Sequence, residues 1–288
     1  MDKTFAIEQY CAPGCQVLDE IVSISATISL RVLTITPLVP TQQPEIFFVP
    51  GWISRVTSWK HALLEMTKDH KVYYVETRDK LSAVIPRKDE LSVEVIASDL
   101  MFLTNHFKLN ESNYIMLGSS LGGTAILHAC QYLGSKPLAL VLIGPNAVFR
   151  VPWWGKTMIH LFPLRLYTLM KIFLKWYLRT FRLDPEADAD QYEKYCQNLD
   201  DTDPYRLKRA ALSLVKYEIW DILPDINIPT LIIGAATDHL HEPGNLAKMT
   251  PLLPRGIYLD METNTHTHSG DMVAEMRKFV DRIKNEEI

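Results

Sequence analysis

A serine between two glycines follows a short apolar run near the middle of the chain. Residues 114–117 read Tyr-Ile-Met-Leu, residues 118–122 follow the pattern G-x-S-x-G around Ser120, and a helical pattern rich in small residues comes next. This order is typical of a sharp strand-to-helix turn that holds the central serine above the sheet edge in a strained conformation. Positions 118 and 122 are glycines, and a Cβ atom at either position would clash where strand and helix approach closely. The alternative interpretation is an ordinary Gly/Ser-rich turn.

A nucleophilic Ser120 would need partners, because an alcohol attacks poorly until a base takes its proton. That base is expected to be a histidine that a carboxylate orients. The backbone N–H of Leu121, at the start of the predicted helix, would point to the place where an oxyanion forms.

The partners of Ser120 are expected on loops at the carboxyl ends of neighbouring strands. The apolar run at residues 231–234 leads into Asp238, and the run at residues 256–260 leads into a loop that contains His266 and His268. The order Ser, Asp, His along the chain is that of the α/β-hydrolases.

Three other acids compete with Asp238 for the orienting role. Asp99 falls inside a predicted helix and is expected to be a solvated or capping carboxylate. Asp225 precedes its strand, which would place it at the wrong edge of the sheet. Asp221 is the third rival.

The rest of the chain predicts the elements that would position these residues. Alternating β-branched residues at 21–37 predict one or two antiparallel strands, and continuous apolar runs predict buried parallel strands. The predicted parallel strands cover residues 45–49, 71–76, 114–117, 138–145, 230–234 and 256–260, and the predicted helices cover residues 56–67, 91–107 and 270–284. Strands that alternate with helices indicate right-handed βαβ units, and therefore an α/β protein with a mostly parallel sheet flanked by helices.

These segments together resemble the α/β-hydrolase fold family over roughly residues 21–147 and 226–284. The segments that carry the resemblance are residues 48–52 (FVPGW), 76–78 (ETR), 118–122 (GSSLG), 234–238 (GAATD) and the histidine near the end. The resemblance implies a core formed by residues 1–147 and 226–288, with a helical cap, residues 148–225, inserted in it.

The resemblance also implies roles for single residues. Ser120 would be the nucleophile, Asp238 the orienting acid, and the backbone N–H groups of Leu121 and Trp52 the oxyanion hole. Residues 50–51 are Pro-Gly where His-Gly is usual, and this change leaves the Trp52 N–H available as a donor.

His266 is the preferred base, because it follows its strand at the separation typical of the family. Thr265 stands where a glycine is common, and His268, two residues after His266, is the alternative base. A further departure from the family is the turn at residues 79–81, which reads Asp-Lys-Leu where the family has a Gly-rich turn.

The predicted insert has an unusual charge pattern. Residues 150–182 combine basic and aromatic residues with no acid, and residues 184–203 contain eight acidic residues and one basic residue. One interpretation is a cap helix on the core, with its basic face solvated or paired with the acidic stretch. The other is an amphipathic helix in a membrane interface, which would give peripheral membrane contact. Either way the site beneath is expected to be apolar, which favours a hydrophobic ester.

Composition excludes several classes of function. The chain has 288 residues and a net charge of −4, so nothing in its overall charge points to nucleic acid. Its 4 cysteines lack C-x-x-C spacing and are expected to be reduced thiols, as in a cytoplasmic protein. No apolar run is long enough to predict a transmembrane helix. His239 and His241 lack carboxylates at ligand spacing, so no metal site is expected.

The sequence therefore predicts a serine hydrolase that cleaves carboxylic esters with apolar, lipid-like acyl groups through an acyl-enzyme intermediate. Such a reaction needs no cofactor or metal. One alternative is an acyltransferase or thioesterase that uses the same residues. Another is a non-catalytic protein that binds a small apolar ligand, although ligand binding alone does not require a serine, an acid and a histidine together.

Overall fold

A single sheet of eight strands organises the chain. The computed structural model describes residues 7–110, 113–149, 153–161, 163–182, 186, 189–238 and 243–286. The strands are β1 (Gln16–Ser23), β2 (Ser29–Thr36), β3 (Glu45–Val49), β4 (Val72–Val75), β5 (Tyr114–Ser119), β6 (Ala139–Ile143), β7 (Thr230–Gly234) and β8 (Gly256–Asp260). Their order in the sheet is β1-β2-β4-β3-β5-β6-β7-β8.

The sheet is parallel from β4 to β8 and antiparallel at the other edge. Strands β3 to β8 pair in parallel, whereas β2 pairs antiparallel with both β1 and β4. The antiparallel prediction began at residue 21, but the hairpin begins at Gln16 and pairs it with Thr36. The β1 strand lies at the edge and is largely exposed, so its first residues lack the apolar signal that marks a buried strand.

Nine helices in the described part of the chain cover the sheet or follow it. They are α1 (Lys60–Met66), α2 (Val93–His106), α3 (Leu121–Ala129), α4 (Trp153–Leu161), α5 (Tyr167–Tyr177), α6 (Ala189–Asp200), α7 (Pro204–Leu214), α8 (Pro243–Met249) and α9 (Gly270–Lys284). The helix predicted at residues 56–67 is divided, because Trp59 has φ −112° and ψ 11° and separates the 3₁₀ turn Val56–Trp59 from α1. The bounds of α9 match the prediction, and α2 is shorter than predicted by a few residues.

Apolar residues cover both faces of the parallel strands. Phe47 and Val49 of β3 pack with α2 and α3, whereas Ile46 and Phe48 pack on the opposite face with α1 and α9. Helices on both faces explain why these strands are apolar without alternation. Burial on both sides leaves the strand ends as the places where polar side chains reach a cleft.

Helices α4 to α7 lie between β6 and β7, in the stretch predicted to be an insert, and they are called the helical insert here. Its two ends lie side by side. Val148 forms an antiparallel bridge with Glu218, and the Ile219 N–H donates to the Ala147 carbonyl at 3.1 Å. The division into a core and a cap domain stays a prediction. Within the residues described, no helix is long and apolar enough to cross a membrane.

Candidate active site

Ser120 occupies a strained turn between β5 and α3. Its φ of 48° and ψ of −118° are unusual for a residue with a side chain. A Cβ on Gly122 would lie 2.1 Å from the Val49 carbonyl oxygen, and one on Gly118 would lie 2.7 Å from the Gly123 Cα. The turn therefore has the backbone of a nucleophile elbow, with Gly118 where β5 approaches α3 and Gly122 where α3 approaches β3.

A cavity of about 420 Å³ lies over the carboxyl ends of the strands. Ser120, Asp238 and His268 line it from the sheet side, together with Trp52. On the insert side its lining is mostly apolar and includes Ile159, Met170, Phe173, Leu174, Leu207 and Leu214. Ser120 thus opens into a space whose lining suits an apolar ligand.

The hydroxyl of Ser120 has a hydrogen-bond donor that the sequence analysis missed. Asn146 Nδ2 donates to Ser120 Oγ at 2.8 Å. The Thr124 hydroxyl lies 2.9 Å from both the N–H and the carbonyl oxygen of Asn146, which holds this residue in place. Its signal in the sequence was its position, since Asn146 closely follows the end of β6, the neighbour of β5.

Asp238 is a buried acidic residue beside the apolar cavity. It closely follows β7 and is 6% exposed, and its Oδ2 accepts a hydrogen bond from Asn264 Nδ2 at 2.9 Å. Lys194 of α6 donates to Asn264 Oδ1 at 2.8 Å, which joins the insert to this network. Burial, with a smaller contribution from the charge of Asp238, raises the pKa of Tyr195 well above its usual range.

The two candidate histidines occupy different positions in the 3₁₀ turn His266–His268. His266 is exposed, and its Nδ1 lies 3.1 Å from the Met261 carbonyl oxygen. His268 lines the cavity and stacks on Trp59 with ring centroids 4.1 Å apart. The structure thus brings the alternative base, rather than the preferred one, to the cavity that contains Ser120.

The hydrogen bonds of His268 define its tautomer. Its Nδ1 lies 3.0 Å from the Asn264 carbonyl oxygen and 2.9 Å from the Thr267 hydroxyl oxygen. The Thr267 hydroxyl donates to the same carbonyl at 2.7 Å. A carbonyl only accepts, so the proton belongs on Nδ1 and Nε2 is the nitrogen that can accept one.

The rival acids lie elsewhere. Asp221 and Asp225 are exposed in a 3₁₀ turn before β7. The expectation that Asp99 is solvated or caps a helix is wrong, because it is 2% exposed and Arg78 Nη2 donates to it at 2.8 Å. Burial raises the pKa of Asp99, and the guanidinium of Arg78 opposes that effect. Asp99 therefore has a structural ion-pair role away from Ser120.

The residues that carry the two predicted oxyanion donors adjoin Ser120, one in the chain and one in space. Leu121 is the first residue of α3, where a backbone N–H has no carbonyl partner within its own helix. Trp52 follows Gly51, and a Cβ on Gly51 would lie 3.2 Å from Ser120 Cβ. The loop that carries the Trp52 N–H is therefore packed directly against the candidate nucleophile.

The basic and aromatic segment 150–182 has features of a cap helix packed on the rest of the protein and also features of a membrane-interface helix. Lys175 and Lys171 pair with Asp200 at 2.7 and 3.3 Å, as expected for a helix packed on the acidic stretch. The outer side of α5 is nevertheless apolar, since Leu169 is 60% and Ile172 63% exposed. The acidic stretch thus accounts for part of the basic charge and leaves an apolar surface uncovered.

A metal site has no support in the part of the chain that is described. There, no group of three His, Cys, Asp or Glu residues is close enough to hold an ion. His239 and His241 lie outside the described residues.

Solved structures share this architecture across almost the whole chain. An esterase from Thermogutta terrifontis is 17% identical with a TM-score of 0.72, and 93% of this chain aligns with 99% of it. A bacterial membrane phospholipase A is 16% identical with a TM-score of 0.72, and the alignment covers 93% of this chain and 87% of the phospholipase chain. MenH from S. aureus is 15% identical with a TM-score of 0.73, covering 88% and 98%. Comparison with protein-family models and with curated protein sequences finds no match.

These likenesses define the class of the protein at the level of its fold. The chain has the α/β-hydrolase fold, with a mostly parallel sheet flanked by helices, which confirms the predicted fold class. Neighbours of equal similarity have different names and activities, so the reaction has to be argued from the site itself.

Proposed function

We propose that this protein is a serine hydrolase that cleaves carboxylic esters with apolar acyl groups, with Ser120 as the nucleophile. The observation that carries the proposal is the strained Ser120, which opens into an apolar cavity that Asp238 and His268 also line. A strained nucleophile, a histidine and a buried carboxylate form the set that activates an alcohol for acyl transfer.

In the proposed reaction, His268 rather than His266 is the base. Its Nε2 takes the Ser120 proton as Oγ attacks the ester carbonyl. Asn146 Nδ2 donates to Oγ, so it occupies one lone pair of that oxygen and leaves the hydroxyl proton to go to the base. Asp238 is proposed to orient the base indirectly. Its carboxylate holds the side-chain amide of Asn264, and the main-chain carbonyl of Asn264 accepts the His268 Nδ1–H.

The substrate carbonyl oxygen, which becomes negatively charged during the attack, is proposed to accept hydrogen bonds from the N–H groups of Leu121 and Trp52. Donors fixed before the reaction stabilise such an oxyanion without reorganising in the transition state. His268, now protonated, gives its proton to the leaving alcohol. Water then attacks the acyl-enzyme with the same base and releases the acid.

The apolar lining favours a hydrophobic acyl group and gives the first test of the proposal. Across a series of p-nitrophenyl esters, kcat/KM is expected to peak at an intermediate acyl length that fills the cavity of about 420 Å³. Leu174→Trp narrows the cavity and is expected to move the peak to shorter chains. The measurement is initial rate against acyl length at fixed ester concentration.

Leu169→Trp is the matched control, because this leucine lies on the outer side of the same helix. It is expected to leave the optimum unchanged. A flat chain-length profile in the wild type would contradict the assignment of the cavity as the acyl site. Added alcohol acceptors or thioesters in the same assay distinguish acyl transfer and thioester hydrolysis from ester hydrolysis.

We also propose that the outer side of α5 contacts anionic membranes. Leu166, Leu169, Ile172 and Trp176 follow helical spacing and are between 45% and 63% exposed. Arg165 and Arg179 are exposed near the two ends of the helix, and residues 150–182 contain no acid. An apolar face with basic residues at its ends is typical of helices that lie in a lipid interface.

The vesicle prediction compares two double variants. Leu169→Gln with Ile172→Gln is expected to lower partitioning onto phosphatidylglycerol vesicles about tenfold or more, because two apolar side chains lose their burial in lipid. Leu38→Gln with Val39→Gln is the control, since these residues are 69% and 67% exposed outside the helical insert. Sedimentation with vesicles measures both. Equal binding of the two variants would contradict the membrane surface.

A further inference from the structure

The turn at residues 79–81, which departs from the family's Gly-rich pattern, places two opposite charges in the interior. Asp79 is 4% and Lys80 9% exposed, and Lys80 Nζ lies 2.7 Å from Asp79 Oδ2. Removing two charges from water costs about as much free energy as their attraction returns, so a buried ion pair is weak evidence for a role in stability. The pair calls for another explanation.

Both side chains bond to the main chain around Trp52. Lys80 Nζ donates to the Gly51 carbonyl oxygen at 2.8 Å, and Asp79 Oδ2 accepts the Ile53 N–H at 3.0 Å. Ile53 has a φ of 53°, a conformation that a β-branched residue adopts only where its surroundings impose it. The ion pair therefore holds the peptide units on both sides of Trp52.

One of these contacts acts directly on the proposed oxyanion donor. The Gly51 carbonyl and the Trp52 N–H belong to the same planar peptide unit, and in a trans peptide they point in opposite directions. Fixing the carbonyl on Lys80 therefore fixes the direction of the N–H. The ammonium charge also polarises this peptide, which strengthens the N–H as a hydrogen-bond donor.

The turn that carries the pair is itself held by the helical insert. Arg206 of α7 donates to the carbonyl of Lys80, and its Nη2 donates to the Ala83 carbonyl at 2.8 Å. Thr77 Oγ1 donates to the second carboxylate oxygen of Asp79 at 2.6 Å. The positions of both charged groups are thus fixed from several sides.

We propose that Asp79 and Lys80 form an oxyanion clamp that orients and polarises the Trp52 N–H for the transition state. This inference rests on the proposed function, and it deepens that function by assigning two positioning residues. Lys80 acts through the peptide between Gly51 and Trp52, whose N–H is the proposed oxyanion donor. Asp79 acts through the next peptide, by accepting the Ile53 N–H, and by holding the Lys80 ammonium group in place.

The test is Lys80→Met, with Asp79→Asn/Lys80→Met as a second variant that leaves no unpaired buried charge if the single variant fails to fold. Loss of one oxyanion donor lowers kcat by about 10²- to 10³-fold, so a misoriented donor is expected to lower it about 10- to 100-fold with little change in KM. Rates are normalised to active sites titrated with an organophosphonate. The Ki of an alkylboronic acid, which mimics the tetrahedral state, is expected to rise by a similar factor.

Asp99→Asn is the matched control, because it breaks the neighbouring buried pair with Arg78, which has a different role from the clamp. It is expected to lower Tm while kcat per titrated site stays near the wild-type value. Wild-type kcat and Ki in Lys80→Met or in the double variant would overturn the clamp alone. Absence of Ser120-dependent turnover in the wild type would overturn the proposed function and the clamp together.

Discussion

Ser120→Ala is expected to lower kcat for p-nitrophenyl ester hydrolysis by about 10⁴-fold or more, because no other group forms the acyl-enzyme bond. The substitution removes the Oγ that accepts from Asn146 Nδ2 and leaves a residue with a small side chain at φ 48°. Any turnover left would come from substrate binding and the backbone donors. Initial rates of wild type and variant, purified in parallel, give the comparison.

Ser119→Ala is the matched control, since this serine is the neighbour of Ser120 and ends β5. It is expected to keep turnover within a few-fold of the wild type. Intact-mass analysis after treatment with an organophosphonate is expected to show one adduct on the wild type and on Ser119→Ala, and none on Ser120→Ala. Wild-type turnover by Ser120→Ala would remove the serine from the mechanism.

The second large effect separates the two histidines. His268→Ala is expected to lower kcat about 10³- to 10⁴-fold, because the base that takes the Ser120 proton is lost. His266→Ala is expected to change kcat less than about threefold, because this side chain is exposed and bonds to the Met261 carbonyl. The two single variants, assayed on the same ester, form a matched pair.

Free imidazole provides a readout that loss of packing would not. His268→Ala leaves a space beside Trp59, on which the native ring stacks. Added imidazole is expected to restore part of the turnover of His268→Ala and to have no effect on Ser120→Ala. Inactive His266→Ala together with active His268→Ala would return the assignment to the histidine that the sequence favoured.

Much of the fold could be predicted because its signals are local. The parallel strands are buried on both faces, so they read as continuous apolar runs, and the predicted α/β-hydrolase architecture is confirmed. The exposed start of β1 carried no such signal, and the hairpin was predicted to begin at residue 21 rather than at Gln16. Burial on both faces makes a strand recognisable, and an edge position conceals it.

The polar contacts in and around the candidate site were only partly predictable, because they join segments that are distant in the chain. Asp79 and Lys80 read as a departure from a family turn, whereas in the fold they bond to Gly51 and Ile53, which lie far from them in the chain. Asp99 was expected to be solvated, but Arg78 reaches it across 21 residues and permits its burial. Charge patterns in the chain do not show which acid will meet which base.

The sequence by itself predicted the elbow at Ser120, because the apolar run, the G-x-S-x-G pattern and the helical pattern follow one another in a single short segment. Glycine at 118 avoids a clash with Gly123 of the same segment, whereas glycine at 122 avoids a clash with Val49 of β3, which only the fold brings near. The sequence also determined that an acid and a histidine follow β7 and β8, since parallel strands bring their carboxyl ends to one edge. Only the tertiary structure shows which of His266 and His268 lines the cavity beside Ser120. Successive residues in a 3₁₀ turn are rotated by about 120°, so two histidines two positions apart face different sides, and the packing of the turn against Trp59 determines which one meets the cavity.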